Sequence, residues 1–223
     1  MTFKDLSSGF DVSIPIIGTN VIADIRWGDG ILSNNIDISS GANHTYSSSG
    51  TYTANINILS GDVTSFKGDI NNTPVWTGVD KVTSVDVYNI DEEYLSPNKN
   101  KTNWNLGPNI PSFQGLFKGA VQLVDVPLNI PTSVTDTSYM FDGAEIFVGR
   151  RLGTWNTHGV TDMKYMFRNA KIFNTKIIWW DTKNVNSFQG IFYNAYAINQ
   201  ELKYWPIKLN ADLSDMFVWN PEP

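Results

Sequence analysis

The sequence predicts an N-terminal all-β sandwich followed by an α/β solenoid of about five repeats of roughly 25 residues. Alternating apolar and polar residues, separated by turn residues about every ten positions, indicate the short strands of the sandwich. A motif that recurs along the second half of the chain indicates the solenoid. The length agrees with this organisation, because 223 residues can hold two small domains.

The composition is that of a globular protein and excludes several kinds of site. Hydrophobic residues make up 41% of the chain, which is enough for a core of normal size. A net charge of −6 does not fit the basic surface of a nucleic-acid-binding protein, so we expect no nucleic acid partner. The absence of cysteine excludes disulfides, thiol catalysis and cysteine-based zinc sites. No apolar segment approaches the roughly 18 residues of a membrane span, so we expect the chain to have no membrane-spanning segment.

Strand-like alternation in the first 60 residues predicts the sandwich. It runs through Phe10–Ile14, Val21–Trp27 and Thr51–Ile58. Gly28-Asp29-Gly30 supplies a hairpin signal, because glycine adopts positive φ without a steric penalty. We predict that Trp27 fills the core and that Asp29 closes the turn by accepting backbone N–H groups.

Acidic residues in this region leave calcium binding open as an alternative. The candidates are Asp24, Asp29 and Asp62, but their spacing lacks the dense oxygen ligands of a calcium loop. We therefore predict no metal and no cofactor. His44 and His158 are the only histidines and lie far apart in sequence, so we predict a structural role for His44.

Three short motifs in order resemble the polycystic-kidney-disease (PKD) repeat. They are Trp27-Gly28-Asp29-Gly30, then His44-Thr45-Tyr46, then Gly50-Thr51-Tyr52-Thr53. The resemblance covers about residues 8–60, which is shorter than a full PKD repeat. It implies an immunoglobulin-like sandwich in which Trp27, Asp29, His44, Tyr46 and Tyr52 form the defining motif.

A nine-residue motif recurs five times in the second half, over residues 112–120, 136–144, 162–170, 187–195 and 212–220. Its apolar residues recur with the spacing i, i+3, i+4 and i+7, which is typical of one face of an α-helix. In the third motif they are Met163, Met166, Phe167 and Ala170. Each motif opens with a residue that is a good helix N-cap: Ser112, Asp136, Asp162, Ser187 and Asp212. The pattern therefore predicts a short helix of about two turns in every repeat.

The remainder of each repeat predicts a short strand, clearest in Lys176–Trp180. One helix and one short strand per roughly 25 residues are typical of a leucine-rich-repeat-like solenoid. We predict a repeat core formed by these aromatic residues: Phe117, Phe141, Phe167, Phe192, Phe217, Trp155, Trp180 and Trp205. A sugar-stacking platform is the alternative interpretation of the three tryptophans.

The repeats resemble the BspA-like leucine-rich-repeat surface proteins over about residues 108–220. The motif that carries the resemblance runs from Trp155-Asn156-Thr157 through Val160-Thr161-Asp162-Met163-Lys164-Tyr165-Met166-Phe167 and recurs from Trp180 to Phe192. A PKD-like module ahead of such repeats is similar to members encoded by phages and bacteria. The resemblance implies binding, adhesion or a virion surface role, and the family has no shared catalytic residues to transfer.

These observations divide the chain into three parts. Residues 1–62 are the PKD-like sandwich, 63–107 a connecting segment with the first solenoid coil, and 108–223 the repeat solenoid with its C-terminal cap. Val82–Tyr88 has the pattern of a strand that would belong to the first coil. Ser96–Lys101 is a polar loop, interpreted as a solvated linker, with a specificity loop as the alternative.

Function is predicted to be binding rather than catalysis. No catalytic triad, phosphate-binding loop or carboxylate pair is recognisable, although a glycan-degrading enzyme remains a third hypothesis. Tyr139, Tyr165 and Tyr193 are the candidate surface contacts, because they fall on the non-core side of the motif.

Two locations fit a binding protein of this kind. Met1–Asp5 lacks the features of a signal peptide, which favours a virion structural protein, used in capsid decoration or in the tail. A bacterial cell-surface adhesin is the alternative. The expected partners are other virion proteins, a host protein or a glycan, and a homo-oligomer is left open.

Overall fold

The fold was obtained as a computed structural model, which describes residues 1–66, 76–85 and 110–220. Its first part is built from antiparallel strands. In chain order they are β1 (Thr2–Leu6), β2 (Phe10–Ile14), β3 (Ile16–Arg26), β4 (Leu32–Asp37), β5 (Ala42–Tyr46), β6 (Gly50–Thr53), β7 (Asn55–Phe66) and β8 (Val82–Ser84).

The strands form three small sheets, in the orders β6-β1-β8, β2-β5 and β4-β3-β7. Each sheet contributes to the buried core, for example through Phe3, Val12 and Ile25, which are fully buried. This arrangement is compatible with the sandwich predicted for residues 1–62. Strand β7 continues past position 62, and β8 pairs with β1, so strands of the first part extend beyond that boundary.

Residues 110–220 form successive coils, which we call the coil stack. Isolated parallel bridges join the first residues of the five motifs in order: Ser112, Asp136, Asp162, Ser187 and Asp212. Alternate N–H groups of each motif donate to the next coil. In the first coil they belong to Phe113, Gly115, Phe117 and Gly119, and they reach the carbonyls of residues 136, 138, 140 and 142 over 2.7–2.9 Å. The same pattern holds at the following three interfaces.

The predicted α/β solenoid is wrong in its secondary structure, because the described part of the coil stack contains no α-helix. Every second N–H is committed to the neighbouring coil and cannot enter an i→i−4 helical bond. The remaining N–H groups close tight turns, as in the bonds from Leu116 to Phe113 and from Ala120 to Phe117. The fourth position of all five motifs and the eighth position of the first four have positive φ, as at Gly115 (62°) and Gly119 (78°), which a right-handed helix excludes.

The predicted repeat strands are also absent from the described coils. Lys176–Trp180 forms no strand and is irregular, with a turn at residues 178–179. The only regular helical elements among the described residues are two single-turn 3₁₀ segments, Val79–Lys81 and Leu152–Thr154. Each coil is therefore held by turns and by bonds to its neighbours.

The apolar positions of the motif point inward although no helix forms. Met163, Met166, Phe167 and Ala170 are all buried, as are most of their counterparts in the neighbouring coils. A run of tight turns returns the chain to the core about every three residues, so it satisfies the same spacing as a helix. Phe217 departs from its predicted core role, because its side chain is 49% exposed in the last described coil.

Contacts join the first part directly to the coil stack. The indole Nε1 of Trp76 donates to the carbonyl of Leu116 at 2.8 Å, and the Phe66 and Phe113 rings lie 5.3 Å apart. Ser84 forms a parallel bridge with Asp125. Strand β8 therefore belongs to a sheet with β1 and also touches the stack. The described residues do not include the rest of the predicted strand, Asp86–Tyr88, or the polar loop Ser96–Lys101.

Candidate interaction surface

The N-terminal motif residues form one aromatic cluster with an acidic partner. The His44 ring stacks on Trp27 at 4.5 Å between centroids, and Tyr46 stacks on Tyr52 at 4.2 Å. The Tyr46 hydroxyl donates to the backbone carbonyl of Trp27 at 2.8 Å. Trp27 and Tyr46 are buried, so this cluster packs the interior of the first part.

Asp29 joins the turn to this cluster. Its carboxylate accepts the Ile31 N–H at 3.0 Å and the His44 ring N–H at 2.8 Å. Partial burial opposes ionisation, but the hydrogen bonds from His44 and Ile31 outweigh it and lower the pKa of Asp29 below its usual value. Asp29 therefore closes the turn and binds His44 of β5.

The acidic residues considered for calcium lie in ordinary structural positions. Asp24 accepts the Asn35 N–H at 2.8 Å, and Asp62 lies in β7. No group of three or more His, Asp or Glu side chains that could hold a metal ion occurs in residues 1–66, 76–85 and 110–220.

The tryptophan ladder is buried, so its alternative interpretation as a sugar platform is wrong. Trp155, Trp180 and Trp205 are 4%, 2% and 5% exposed. Their rings stack coil upon coil, with centroids 6.4 and 6.1 Å apart. Each indole N–H donates to a backbone carbonyl of the preceding coil, as from Trp180 to Leu152 at 2.8 Å. The ladder cannot present a ring face to a ligand.

Two of the three candidate tyrosines meet on the surface of adjacent coils. The Tyr139 and Tyr165 rings lie 5.1 Å apart, and Tyr165 is partly exposed. The guanidinium of Arg168 lies 4.8 Å from the Tyr165 centroid and 5.4 Å from that of Tyr139. Tyr193 is not part of this pair, since its hydroxyl accepts a hydrogen bond from the side-chain amide of Asn220.

A buried carboxylate holds the arginine in place. Asp142 is 3% exposed and accepts Arg168 Nε at 2.8 Å, with a second bond from the terminal nitrogen. These hydrogen bonds raise the pKa of the Arg168 guanidinium. Both tyrosines have positive φ, 57° for Tyr139 and 54° for Tyr165. The pair is therefore presented by a constrained backbone and a fixed cation.

Sequence reasoning missed the most exposed aromatic pair. Trp179 is 71% exposed and Tyr204 is 53% exposed, and their rings stack at 5.0 Å with an interplanar angle of 25°. Lys203 Nζ lies 5.3 Å from the Tyr204 centroid. Each ring directly precedes a buried ladder tryptophan, Trp180 or Trp205. In both turns the exposed ring stands immediately before a buried tryptophan, and an aromatic residue next to each of these two ladder positions was the available signal.

Comparison with known proteins finds a similarity for the coil stack. Residues 111–221 are similar to the family described as "Mycoplasma protein of unknown function, DUF285". The DUF285-like segment contains all five motifs and leaves out the N-terminal sheets. No curated protein and no solved structure gives a significant match. Among the described residues, no helix has the length and apolar character needed to cross a membrane.

Proposed function

We propose that this chain is a non-enzymatic interaction protein whose coil stack binds a protein or glycan through exposed aromatic side chains. The observation that carries the proposal is the Trp179–Tyr204 pair, two large stacked rings left in solvent on adjacent coils. Large apolar side chains exposed together are typical of binding surfaces. The Tyr139–Tyr165 pair adds a second aromatic area on other coils.

The positions of the carboxylates support binding over catalysis. Asp136, Asp162 and Asp212 each accept the backbone N–H two residues ahead, and Asp142 is paired with Arg168. A glycosidase needs two carboxylates that flank a substrate cleft. The acidic residues of the motif are instead used to hold turns.

For location, we propose a virion structural protein that serves in capsid decoration or in the tail. The low charged fraction of 17% and the absence of cysteine are compatible with this role. The sequence resemblances to PKD and BspA-like modules support it as well. A bacterial surface adhesin is the second candidate, favoured by the family description, which refers to a cellular organism.

A binding test should distinguish specific binding through these aromatic side chains from nonspecific binding. The full chain, labelled with a fluorophore, would be applied to a glycan array and to intact bacterial cells. We expect Trp179→Ala/Tyr204→Ala to abolish binding because both exposed rings are removed. Ile172→Ala is the matched control, since Ile172 is 50% exposed at a different position of the stack and its loss should leave binding unchanged. Equal binding by the double variant would overturn the proposal, as would hydrolysis of an array glycan.

Location is tested on particles and cells from the same culture. We expect mass spectrometry to detect the chain in purified virions, where added protease should cleave it on intact particles. Detection only among peptides shaved from intact cells would instead establish the adhesin. The two outcomes differ in the fraction that contains the chain, so they do not depend on the identity of the receptor.

A further inference from the structure

Three cations surround one tyrosine ring in the first coils of the stack. Lys118 Nζ lies 6.0 Å and Lys164 Nζ lies 5.8 Å from the centroid of Tyr139, and the Arg168 guanidinium lies over Tyr139 and Tyr165. We call Tyr139, Tyr165, Lys164 and Arg168 the cationic patch. It belongs to the second and third coils and has a described coil on either side. The chain has a net charge of −6, so this concentration of positive charge is a local exception.

The two cations of the cationic patch differ in how their charge is neutralised. Arg168 is paired with the buried carboxylate of Asp142. Lys164 forms no salt bridge with the residues that the structure describes, and its ammonium lies near the Tyr139 ring. Asp162 acts on Lys164 electrostatically, but its Oδ1 accepts the backbone N–H of Lys164. The Lys164 ammonium can therefore receive an anion from outside the chain.

The tyrosine hydroxyls add hydrogen-bonding groups beside this charge. Both rings are partly exposed, and no hydrogen bond to either hydroxyl occurs within residues 1–66, 76–85 and 110–220. A phenolic hydroxyl can donate to a carboxylate and can also accept from a sugar hydroxyl. The Tyr139 and Tyr165 rings lie 5.1 Å apart, so one small ligand can reach both residues.

The surroundings of the cationic patch favour a hydrophilic ligand over a protein partner. The third motif position, next to the two tyrosines, is polar in every coil: Gln114, Ser138, Lys164, Gln189 and Ser214. The strongly exposed large hydrophobic side chains of the described residues all lie outside the first four motifs. A stable protein interface buries about 800 Å² on each partner around an apolar core. Sugar hydroxyls, by contrast, can pair with the tyrosine, glutamine and lysine side chains found here.

We propose that the cationic patch binds an acidic saccharide, whose carboxylate is held by Lys164 and by the hydroxyls of Tyr139 and Tyr165. This inference rests on the proposed function and names the ligand class of its second aromatic area. A sugar carboxylate carries one negative charge, which matches the one ammonium of the patch that has no carboxylate partner among the described residues. Arg168 is a positioning residue, because Asp142 holds it against both tyrosine rings.

The probes are sialyllactose and a galacturonic acid trimer, each titrated into the full chain and followed by calorimetry and NMR. Lactose and the methyl ester of the trimer are the matched neutral sugars. We expect an acidic probe to shift the amides of Tyr139, Lys164 and Tyr165. Its neutral counterpart should bind at least about tenfold more weakly, because the charge-assisted bond is lost. Added salt should weaken the binding of the acidic probe.

Two lysine variants connect the sugar to the cationic patch. Lys164→Gln should weaken the acidic probe at least about tenfold. Lys183→Gln removes the same charge from a lysine that is paired with Asp181, and it should leave binding unchanged. Tyr165→Phe keeps the ring that packs against Arg168 and should weaken binding severalfold through the lost hydroxyl. Melting temperatures show whether each variant remains folded.

Failure of this inference is distinct from failure of the proposed function. Trp179→Ala/Tyr204→Ala should bind the acidic probe normally, whereas it should lose binding to the array and to cells. Three results would overturn the saccharide site: no shift at the patch amides with either acidic probe, equal binding of the neutral sugars, or equal losses in Lys164→Gln and Lys183→Gln. An oligoglutamate peptide that binds the same amides more tightly than both sugars would also overturn it, because the ligand would then be an acidic protein segment.

Discussion

Single residues at the start of each motif determine how a coil begins. Asp162 Oδ1 accepts the N–H of Lys164 at 2.8 Å, and the first residues of the other four motifs make the same bond two positions ahead. The predicted capping chemistry is therefore present, but it caps a tight turn where the sequence predicts a helix. Side-chain oxygens of Ser and Asp stabilise both structures in the same way.

Replacing Asp162 tests this capping bond. Asp162→Ala should lower the free energy of unfolding by about 1 kcal/mol, because the Lys164 N–H loses its acceptor. Asp162→Asn keeps an acceptor oxygen and should cost less. Urea denaturation followed by tryptophan fluorescence gives both values. Identical losses for the two variants would show that the bond contributes nothing.

The Asp162→Asn variant also has a pH dependence with a defined sign. Burial, together with the nearby charge of Asp136, raises the folded-state pKa of Asp162 above its usual 3.8. The folded chain thus holds this proton more tightly than the unfolded chain, so ionisation of Asp162 destabilises the fold as pH rises above 3.8. The amide introduced by Asp162→Asn cannot ionise. The stability of this variant relative to the native chain should therefore increase between about pH 3 and about pH 7, and a constant difference would contradict the assignment.

At the scale of the element, the coil is a sequence of turns whose left-handed positions are fixed. Positive φ recurs at the fourth motif position, as Gly115, Tyr139, Tyr165, Gly190 and Asp215. The apolar spacing alone could not reveal this, because turns and helix place the same residues inward. Glycine at two of the five positions, Gly115 and Gly190, was the sequence signal for a left-handed backbone. Tyrosine at two others concealed it, because tyrosine seldom adopts positive φ.

Alanine substitutions at two glycines distinguish the cost of backbone strain from the cost of a steric clash. Gly143→Ala should cost about 1 kcal/mol, because φ is 77° but the added methyl would meet only Gly119, at 3.6 Å. Gly190→Ala should cost more, because its methyl would also overlap the ring of Tyr165. Adding Tyr165→Ala to Gly190→Ala should recover part of that loss. Equal losses at Gly143 and Gly190 in urea denaturation would refute the contact with Tyr165.

At the scale of the whole molecule, the N-terminal part and the first coil of the stack are in direct contact. Trp76 and Phe66 pack on Leu116 and Phe113, so the N-terminal part covers that end of the stack. Neighbouring coils stabilise one another in a repeat array, and the end units depend on such caps. We expect the N-terminal part and the first coils to unfold together.

Trp76→Phe tests this coupling. The change removes the indole N–H and leaves the buried carbonyl of Leu116 without its partner, so unfolding should become easier by about 1–3 kcal/mol. Hydrogen exchange should accelerate in β1 and in residues 113–119 together. Trp179→Phe is the control, since Trp179 is 71% exposed and should change stability by less than about 0.5 kcal/mol. Faster exchange confined to one side would show that the two parts unfold independently.

The sequence by itself determined most of the buried positions of the motif, where each repeat begins and which side chains cap it. These properties follow from local spacing, and Phe117, Phe141, Phe167 and Trp180 lie in the core as predicted. The tertiary structure decided that the coils are turns and that Trp179 and Tyr204 form an exposed pair. The reason is that alternate N–H groups bond to a neighbouring coil that is distant in sequence, and a local pattern cannot show where a backbone donor finds its acceptor.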